Sequence, residues 1–295
     1  MIGVIGGTGL GEALFGSAEG KDHDVDTPFG RPSTPIRVVP WHGVEVALLA
    51  RHGNGHVFNP AQVPYRANIY ALKSLGVTHV IASGAVGSLR EEIRPRDLVL
   101  VDQIIDKTTR RTPTFFDEGL AVHVEFAEPF CPCMRDLLCA AADKIAATVH
   151  RKGTYVCMEG PAFSSIAESR LHREWGGDVI GMTAMPEAKL AREAELSYGL
   201  VALATDFDCW KPHEPGRNRQ ELLTEIIGNL KDATANAVDL IRVAVELFAA
   251  MPPAPCPVHS GLDLAIWTDR AKITATIARR YGVLLERYLQ AGAPA

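Results

Sequence analysis

Residues 198–210 read Tyr-Gly-Leu-Val-Ala-Leu-Ala-Thr-Asp-Phe-Asp-Cys-Trp, an apolar run that ends in two carboxylates. The uncharged residues 198–205 predict a strand covered on both faces, as in a mostly parallel sheet. Asp206 and Asp208 stand two positions apart, so both project to one side if the strand continues through them. Because Asp is also a frequent N-cap residue, capping of the next helix is an equal alternative for this pair.

Six more short apolar runs predict strands, and helical patterns lie between several of them. The predicted strands are residues 2–5, 44–50, 77–83, 98–101, 153–158 and 179–182. Predicted helices span residues 62–75 and 220–248, and two others begin at Pro186 and near Asp269. Such alternation is typical of a layered α/β fold. We expect residues 1–250 to form the main domain and residues 251–295, which begin with a Pro-rich break, to form a helical arm packed on it.

Composition narrows the class of protein. The 295 residues suffice for one large α/β domain, and the net charge of −5 argues against a nucleic-acid partner, which requires a basic surface. The sequence begins without a charged leader, and its most apolar late stretch, residues 238–248, contains three charged residues. We therefore expect a cytoplasmic protein with neither a secretory signal nor a membrane span.

The six cysteines lack the paired spacing of a zinc site. Cys131 and Cys133 flank a proline, but no second Cys or His pair completes a ligand set in the sequence. Thiols in a reducing cytosol explain this pattern better than a metal or a disulfide. The sequence thus predicts no metal site.

Two strand ends carry groups suited to an anion, at the edge where open α/β sheets bind ligands. Gly6-Gly7-Thr8-Gly9 follows the first strand, and its glycines can turn backbone N–H groups toward an anion while Thr8 adds a hydroxyl. A structural tight turn explains the same residues equally well. Arg51 and His52 end the strand at residues 44–50, where a phosphate or a structural salt bridge would satisfy the arginine.

Three further strand ends carry small or polar residues. Residues 83–88 form a small-residue turn that backbone or ligand can approach closely. Residues 158–165 combine a carboxylate, an aromatic ring and two hydroxyls, which could hold a sugar and stack on a base. Thr183 stands just before the helix that begins at Pro186, where a helix N-terminus favours anions.

With these motifs in place, the sequence resembles the purine nucleoside phosphorylase family, in its S-methyl-5′-thioadenosine phosphorylase branch. The resemblance extends from residue 2 to about residue 210 and continues less distinctly beyond. It rests on Ile5-Gly6-Gly7-Thr8-Gly9-Leu10, Thr27-Pro28-Phe29-Gly30, Arg51-His52-Gly53, Tyr65-Arg66-Ala67-Asn68, Gly87-Ser88-Leu89-Arg90-Glu91-Glu92, Glu159-Gly160-Pro161, Met182-Thr183 and Asp206-Phe207-Asp208-Cys209-Trp210. It implies a single-domain, three-layer α/β fold with a central twisted mixed sheet flanked by helices.

The resemblance also implies roles for single residues. Phosphate, the co-substrate, would be bound by Thr8, Arg51, His52 and Thr183, with backbone at Gly84 and Ala85. The nucleoside would be bound by Phe163 stacking on the purine, Met182 beneath the ribose, Asp206 at N7, Asp208 at the exocyclic amine, and Leu222 and a neighbouring subunit's His123 at the 5′ end. Asp206, Asp208, Arg51 and His52 would be the catalytic residues of a homotrimer that needs no cofactor.

These roles predict phosphorolysis of 5′-methylthioadenosine to adenine and 5-methylthioribose 1-phosphate. A phosphorylase for another 5′-modified adenosine, halogenated or hydroxylated, or for a 6-oxopurine nucleoside is the main alternative. A nucleoside-binding protein without catalysis and a hydrolase that uses water are further alternatives.

Two positions depart from the family pattern. Gly84 stands where relatives usually carry Ser or Thr, so one phosphate hydroxyl is missing. Arg217 and Arg219 stand where relatives selective for a methylthio group usually have an apolar stretch, and two unpaired arginines cannot line an apolar pocket. Either that loop is displaced outward, leaving Leu222 and Leu223 at the pocket, or the 5′ substituent is not methylthio.

Overall fold

A mixed sheet of eleven strands forms the middle layer of the described residues, which are 1–7, 10–15, 19–212, 218–253 and 256–290 of a computed structural model. The strands are β1 Ile2–Gly6, β2 Lys21–His23, β3 Ile36–Trp41, β4 Val44–Ala50, β5 His79–Ser88, β6 Leu98–Leu100, β7 Gln103–Asp106, β8 Val149–His150, β9 Thr154–Cys157, β10 Val179–Gly181 and β11 Ser197–Asp206. The helices are α1 Leu10–Phe15, α2 Tyr65–Ser74, α3 Pro132–Ala142, α4 Ile166–Glu174, α5 Ala184–Glu193, α6 Arg219–Ala250, α7 Ala275–Tyr281 and α8 Glu286–Gln290.

β5 is the centre of the sheet. The main strand order is β2-β3-β4-β1-β5-β10-β9-β7, and β11 pairs with β5 on its other side and carries β6 and β8. β1 and β11 run parallel to β5, whereas β10 is antiparallel to it. The sheet is therefore mixed, as the family resemblance implies.

Side chains of the central strands alternate between two apolar layers, as the two-residue period of a strand requires. From β11, Leu200 and Ala202 join the layer that contains α2 and α5, whereas Val201 and Leu203 join the layer that contains α3 and α6. Every residue of β11 except Asp206 is buried. This burial on both faces explains why the strand reads as one continuous apolar run, and it gives the predicted three-layer α/β architecture.

The chain beyond α6 contributes to both layers. Leu262, Tyr281 and Leu285 lie in the layer with α2 and α5, and Cys256 and Val258 lie in the layer with α3 and α6. The helix expected near Asp269 is a 3-10 turn at Arg270–Lys272, capped by the Asp269 side chain, and α7 follows it. Within the described ranges, no helix is both long enough and apolar enough to cross a membrane.

β5 changes its neighbour halfway along. Its pairing with β1 ends at Ala82, and its pairing with β10 involves only Gly87 and Ser88. Residues 83–86 therefore pair with neither strand on this side. Such a divergence of strands is where open α/β sheets bind their ligands. We call it the β5 opening and define it by the residues that meet there, Gly7, Arg51, Gly84 and Thr183.

Candidate active site

Gly7 lies at the start of the β5 opening because no larger residue fits there. A Cβ atom on Gly7 would lie 2.7 Å from the Ser83 carbonyl oxygen, 3.0 Å from the Gly84 Cα and 3.3 Å from Arg51 Nη1. The Gly7 N–H donates to Ser83 Oγ at 3.4 Å. The turn after β1 is thus pressed against β5 and the guanidinium of Arg51. Thr8, the hydroxyl expected in this turn, lies outside the described residues.

Thr183 closes the other side of the β5 opening. It is 9% exposed and is the residue before α5. A Cβ atom on Gly84 would lie 3.3 Å from Thr183 Oγ1. The hydroxyl of Thr183 therefore occupies space that a side chain at position 84 would need. The structure brings Arg51, Gly84 and Thr183 together, with the partly exposed Ala85 next to them on β5.

Arg51 is fully buried and paired with a carboxylate that the sequence analysis did not name. Its Nε and Nη2 donate to the two Glu187 carboxylate oxygens at 2.7 and 2.8 Å, and its Nη1 donates to the Ser83 carbonyl at 2.7 Å. Burial opposes the charge, but Glu187 outweighs it and raises the pKa of Arg51. The structural salt bridge considered for Arg51 is therefore present.

The ion pair with Glu187 does not occupy every N–H group of the Arg51 guanidinium. A guanidinium has five N–H groups, and contacts with described residues use three of those on Arg51. Nη1 also lies next to Gly7, so the fully buried guanidinium forms part of the wall of the β5 opening.

His52 is neutral near pH 7 in this structure. Burial, followed by the charge of Arg51 and the neighbouring His56 ring, lowers the pKa of His52 to about 4, although a backbone bond to Phe58 acts in the opposite direction. Its Nδ1 lies 2.8 Å from the Phe58 carbonyl oxygen, which assigns the proton to Nδ1. The remaining Nε2 of the neutral ring is an acceptor, so His52 can accept a hydrogen bond from a protonated phosphate oxygen.

Asp206 and Asp208 do not project side by side, because β11 ends at Asp206. The pairing of β11 with β5 shifts register between Ala204 and Asp206, and Asp208 has a φ of +48°. Asp206 accepts from the Asp208 N–H at 2.9 Å and from the Thr205 hydroxyl at 2.6 Å. Its carboxylate therefore forms a local turn that leads into the 3-10 turn at Asp208–Trp210. The N-cap residue of that turn is Phe207 and no side chain caps it, so the structure does not show the capping alternative.

The carboxylate of Asp208 is positioned from α4. The hydroxyl of Ser169, which is fully buried on α4, donates to Asp208 Oδ2. A Cβ atom on Gly87 would lie 3.1 Å from the Asp208 Cβ, so Asp208 is also packed against the end of β5. Both carboxylates thus lie at the carboxyl end of the central strands, with Asp208 fixed by a second element.

The loop between β9 and α4 presents its aromatic ring to solvent. Phe163 is 85% exposed, and the next residue accepts a hydrogen bond from Cys209 Sγ at its Ser164 carbonyl, 3.2 Å away. This bond holds the loop beside the Asp208–Trp210 turn. The Phe163 ring is uncovered, and the residue after it lies beside the Asp208–Trp210 turn.

Met182 lies beside this loop. A Cβ atom on Gly160, whose φ is +66°, would lie 2.5 Å from Met182 Sδ, so only glycine fits there. The Met182 carbonyl accepts from Arg111 Nη1 at 2.6 Å. Its backbone oxygen is therefore committed to the protein.

Arg111, like Glu187, is a residue of this region that the sequence analysis missed. Its side chain is 2% exposed, and its Nε donates to Glu159 Oε1 at 2.9 Å. Its terminal nitrogens donate to the carbonyls of Glu159, Met182 and Met185. Arg111 therefore fastens the β9–α4 loop to the start of α5. Its only signal in the sequence is that it ends the polar, basic segment 107–111.

The two residues expected at the 5′ end of the sugar, His123 and Leu222, lie on segments other than those that form the β5 opening. His123 is exposed, its N–H donates to the Ala265 carbonyl at 2.9 Å, and its ring lies 4.7 Å from that of Trp267. Leu222 is half-buried near the start of α6, and its neighbour Leu223 is 58% exposed. Arg217 lies outside the described residues, as does the side chain of Arg219.

Comparison with known proteins identifies relatives over nearly the whole chain. The model of the phosphorylase superfamily matches residues 1–246. The S-methyl-5′-thioadenosine phosphorylase of Geobacter sulfurreducens is 48% identical over 290 residues, which cover 98% of this chain and 99% of that protein. A methylthioadenosine phosphorylase from an antarctic soil metagenomic library has a similar structure, with a TM-score of 0.88, 44% identity and coverage of 96% of this chain and 98% of that one.

A third relative was solved with a bound base. The methylthioadenosine phosphorylase of Schistosoma mansoni in complex with adenine matches with a TM-score of 0.76 and 36% identity, over 84% of this chain and 92% of that one. The similarity therefore extends over sequence and fold together.

Proposed function

This chain belongs to the phosphorylase superfamily, and on that premise we propose that it cleaves 5′-methylthioadenosine with phosphate to adenine and 5-methylthioribose 1-phosphate. It is then a pentosyltransferase of the purine nucleoside phosphorylase type. The observation that carries the proposal is the joint placement of Gly7, Arg51, Gly84 and Thr183 at the β5 opening, in a chain 48% identical to an S-methyl-5′-thioadenosine phosphorylase.

Phosphate occupies the β5 opening in this proposal. The Arg51 guanidinium and the Thr183 hydroxyl, which lies 3.3 Å from a Cβ atom placed on Gly84, are the donors that a phosphate needs. Glu187 balances the charge of Arg51 when phosphate is absent, so the guanidinium stays in place between turnovers. The small residues Gly84 and Ala85 let the anion approach the backbone of β5.

The base lies toward the Asp208–Trp210 turn. Asp206 interacts with N7 of the purine and Asp208 with the exocyclic amine of adenine, while Phe163 stacks on the ring. Met182 lies beneath the ribose. Ser169 and Arg111 hold this side of the site in place through Asp208 and the β9–α4 loop.

The chemistry follows from where charge develops. Breaking the N-glycosidic bond makes the sugar cationic and the purine anionic. A proton held between Asp206 and N7 neutralises the leaving base, and phosphate at the β5 opening stabilises the cationic sugar and then attacks C1′. This reaction needs phosphate as its co-substrate and no cofactor.

We also propose a cytoplasmic homotrimer in which His123 closes the 5′ pocket of a neighbouring subunit. His123 and the 72%-exposed Trp267 form an uncovered aromatic surface that a neighbour could cover. Sedimentation equilibrium should give about three times the chain mass of 31.9 kDa. A monomer in solution would contradict the trimer and the role of His123. It would not contradict the proposed phosphorolysis.

A phosphorylase for another 5′-modified adenosine is the second candidate. It is motivated by Arg217 and Arg219, since the family resemblance implies an apolar stretch at these positions in relatives selective for a methylthio group. A halogenated or hydroxylated 5′ carbon would suit a more polar pocket.

One assay tests these possibilities. The rate of base release is measured with 5′-methylthioadenosine, 5′-chloroadenosine, adenosine and inosine, each with and without phosphate. We expect the highest kcat/KM for 5′-methylthioadenosine and no turnover without phosphate. Preference for adenosine or the halogenated nucleoside would select the second candidate. Preference for inosine, turnover with water alone, or tight binding without turnover would overturn the proposal.

A further inference from the structure

Three thiols lie close together on the side of the sheet that carries α3 and α6. The Sγ atoms of Cys131, Cys133 and Cys256 all lie within 4.8 Å of one another. Cys131 is the residue before α3, Cys133 is in its first turn, and Cys256 precedes the 3-10 turn at Pro257–Ser260. The third thiol that the sequence lacked next to Cys131 and Cys133 is therefore supplied from 125 residues away.

Two of these sulfurs are in direct contact. Cys131 Sγ and Cys256 Sγ are 2.9 Å apart, within hydrogen-bond distance, and either sulfur can be the donor. A disulfide bond measures about 2.05 Å. Cys131 and Cys256 are 1% and 4% exposed, so both sulfurs are held in this contact by the surrounding core.

The surroundings favour a neutral product over a metal–thiolate centre. Cys131 and Cys256 belong to the apolar layer with α3 and α6. Burial, the neighbouring Cys256 thiol and, least, the charge of Asp136 raise the pKa of the Cys133 thiol. Three thiolates around a divalent ion would still bury a net negative charge in such a layer, whereas a disulfide carries no charge.

We propose that Cys131 and Cys256 are an oxidation site, converted to a disulfide by low-molecular-weight disulfides such as oxidised glutathione, and that this bond fastens the arm after α6 to α3. Cys133 is the thiol that reacts first with the small molecule. It is partly exposed, whereas the other two are buried.

The exchange balances in three steps. The Cys133 thiolate attacks one sulfur of the small disulfide and releases one small thiol, which leaves a mixed disulfide on Cys133. The Cys256 thiolate then attacks the Cys133 sulfur, releases the second small thiol and forms Cys133–Cys256. Finally the Cys131 thiolate attacks the Cys256 sulfur, expels Cys133 as a thiol and leaves Cys131–Cys256. One small disulfide is reduced to two thiols, and two protein thiols are oxidised.

The local chemistry supports Cys256 as the attacking group of the second step. Burial raises the pKa of the Cys256 thiol, but hydrogen bonds from Cys131, from the Val258 N–H and from Ser197 outweigh it, so the net shift is downward. Burial raises the pKa of Cys131 to about 12, which suits the partner that reacts last.

The experiment treats the full-length protein with oxidised glutathione and analyses its peptides by mass spectrometry without reduction. We expect a linked Cys131–Cys256 peptide pair that is two hydrogens lighter than the two thiol peptides. We also expect the apparent Tm of the oxidised protein to rise by about 5 °C or more, because the bond closes a long loop, and to return after dithiothreitol.

Variants separate the three thiols. C131S and C256S should each abolish the linked pair and the Tm rise, whereas C133S should slow formation of the pair at least several-fold and leave the same product. C139S is the matched control, since Cys139 is a partly exposed thiol two turns along α3 and should have no effect on either readout.

Three outcomes would overturn the proposal. Cys131 and Cys256 could remain thiols while other cysteines become glutathionylated. The final linkage could join Cys133 to either of them. Alternatively, the purified protein could contain a stoichiometric metal that is lost in C131S, C133S and C256S together. Because the readouts are the peptide linkage and the Tm, they are independent of whether the chain is a phosphorylase.

Discussion

At the scale of single residues, Asp206 has one observed task and one proposed task. Its carboxylate accepts hydrogen bonds from the Asp208 N–H and the Thr205 hydroxyl, which shape the turn after β11. The proposed reaction also requires this carboxylate to hold a proton against N7 of the purine. Because the local bonds place the group before substrate arrives, Asp206 needs little rearrangement to act.

Replacing Asp206 by asparagine should therefore remove catalysis and retain the fold. The amide can keep the acceptor bond from Asp208 but cannot hold the shared proton, so kcat should fall about 10²–10⁴-fold. Steady-state rates of adenine release measure this. D239N, at an exposed carboxylate on α6, is the control and should retain full activity. A D206N enzyme within about threefold of wild type would contradict the role.

The buried pair of Arg51 and Glu187 is the second decisive feature at this scale. Glu187 also accepts from the Tyr198 hydroxyl at 2.7 Å, so the carboxylate is held from two sides. Both ionised side chains are fully buried. A buried pair of this kind contributes little net stability compared with apolar packing, but removal of one partner leaves the other charge uncompensated.

E187Q should thus destabilise the protein by about 3–5 kcal/mol in urea unfolding. Phosphate should restore part of this loss compared with chloride at equal ionic strength, because a bound anion replaces the missing charge. An E187Q loss below about 1 kcal/mol with no phosphate effect would show that Arg51 does not depend on either anion.

E193Q is the matched control for this variant. Burial raises the pKa of Glu193 to about 7, although bonds from Thr114 and Phe115 act against the shift. The carboxylate is therefore already about half protonated at neutral pH. A glutamine amide can still accept from the Phe115 N–H and donate to the Thr114 hydroxyl, so the loss should stay below about 1 kcal/mol.

At the scale of elements, the nucleoside side of the site depends on two short segments rather than on a strand. The β9–α4 loop and the start of α5 carry Phe163 and Met182, and both segments are joined by the single guanidinium of Arg111. Glu159 reinforces the junction, since its carboxylate accepts from Arg111 and from the N–H groups of Thr109 and Arg110. Arg111 is thus a positioning residue in the proposed site.

R111A should loosen both segments together. We expect a loss of about 2–4 kcal/mol, because several buried carbonyls and the Glu159 carboxylate lose their donor. The KM for nucleoside should rise at least tenfold, with a smaller change in the KM for phosphate, since of the proposed phosphate contacts only Thr183 lies beside Arg111, whereas Arg51 and Gly7 belong to other elements. R111K should recover only part of the affinity, because an ammonium lacks the planar fork.

The control for R111A is an arginine in an exposed ion pair. Arg151 pairs with Asp143, and both side chains are more than half exposed. R151A should therefore change stability by less than about 1 kcal/mol. Equal KM changes for nucleoside and phosphate in R111A would argue against the positioning role.

At the scale of the whole molecule, buried histidines set the response to acid. Burial lowers the pKa of His52 and of His79 to about 4. Histidines in the unfolded chain bind a proton below about pH 6.5. Between these values the unfolded state binds more protons than the folded state, so stability falls as the pH drops from about 6.5 to about 4.

H79Q should reduce this acid sensitivity. We expect the fall in unfolding free energy between pH 6.5 and pH 4 to shrink by about 1–2 kcal/mol relative to wild type, whatever the stability of the variant at pH 7. Urea unfolding at a series of pH values measures the slope. H23Q, at a half-exposed histidine on the edge strand β2, is the control and should leave the slope unchanged. Identical slopes for H79Q and wild type would contradict the prediction.

Much of the fold was predictable because the central strands are buried on both faces. All seven predicted strands are present, and β5 is longer than expected, since it continues through a turn-like run of small residues to Ser88. The strands missed were β2, β3, β7 and β8, which are short or mixed in burial and include Pro40 in β3. Their pairing with a neighbouring strand, rather than their own pattern, makes them strands.

The sequence by itself determined the layered α/β fold, the family, and the strand ends at which Arg51, Thr183 and Asp206 stand. Those features are local, since apolar periodicity and short motifs record them directly. Only the tertiary structure decided the partners. Glu187 lies 136 residues from Arg51, Ser169 lies 39 residues from Asp208, and Cys256 lies 125 residues from Cys131. Such contacts depend on which strands lie side by side. No local sequence pattern indicates that two residues so far apart in the chain will be in contact.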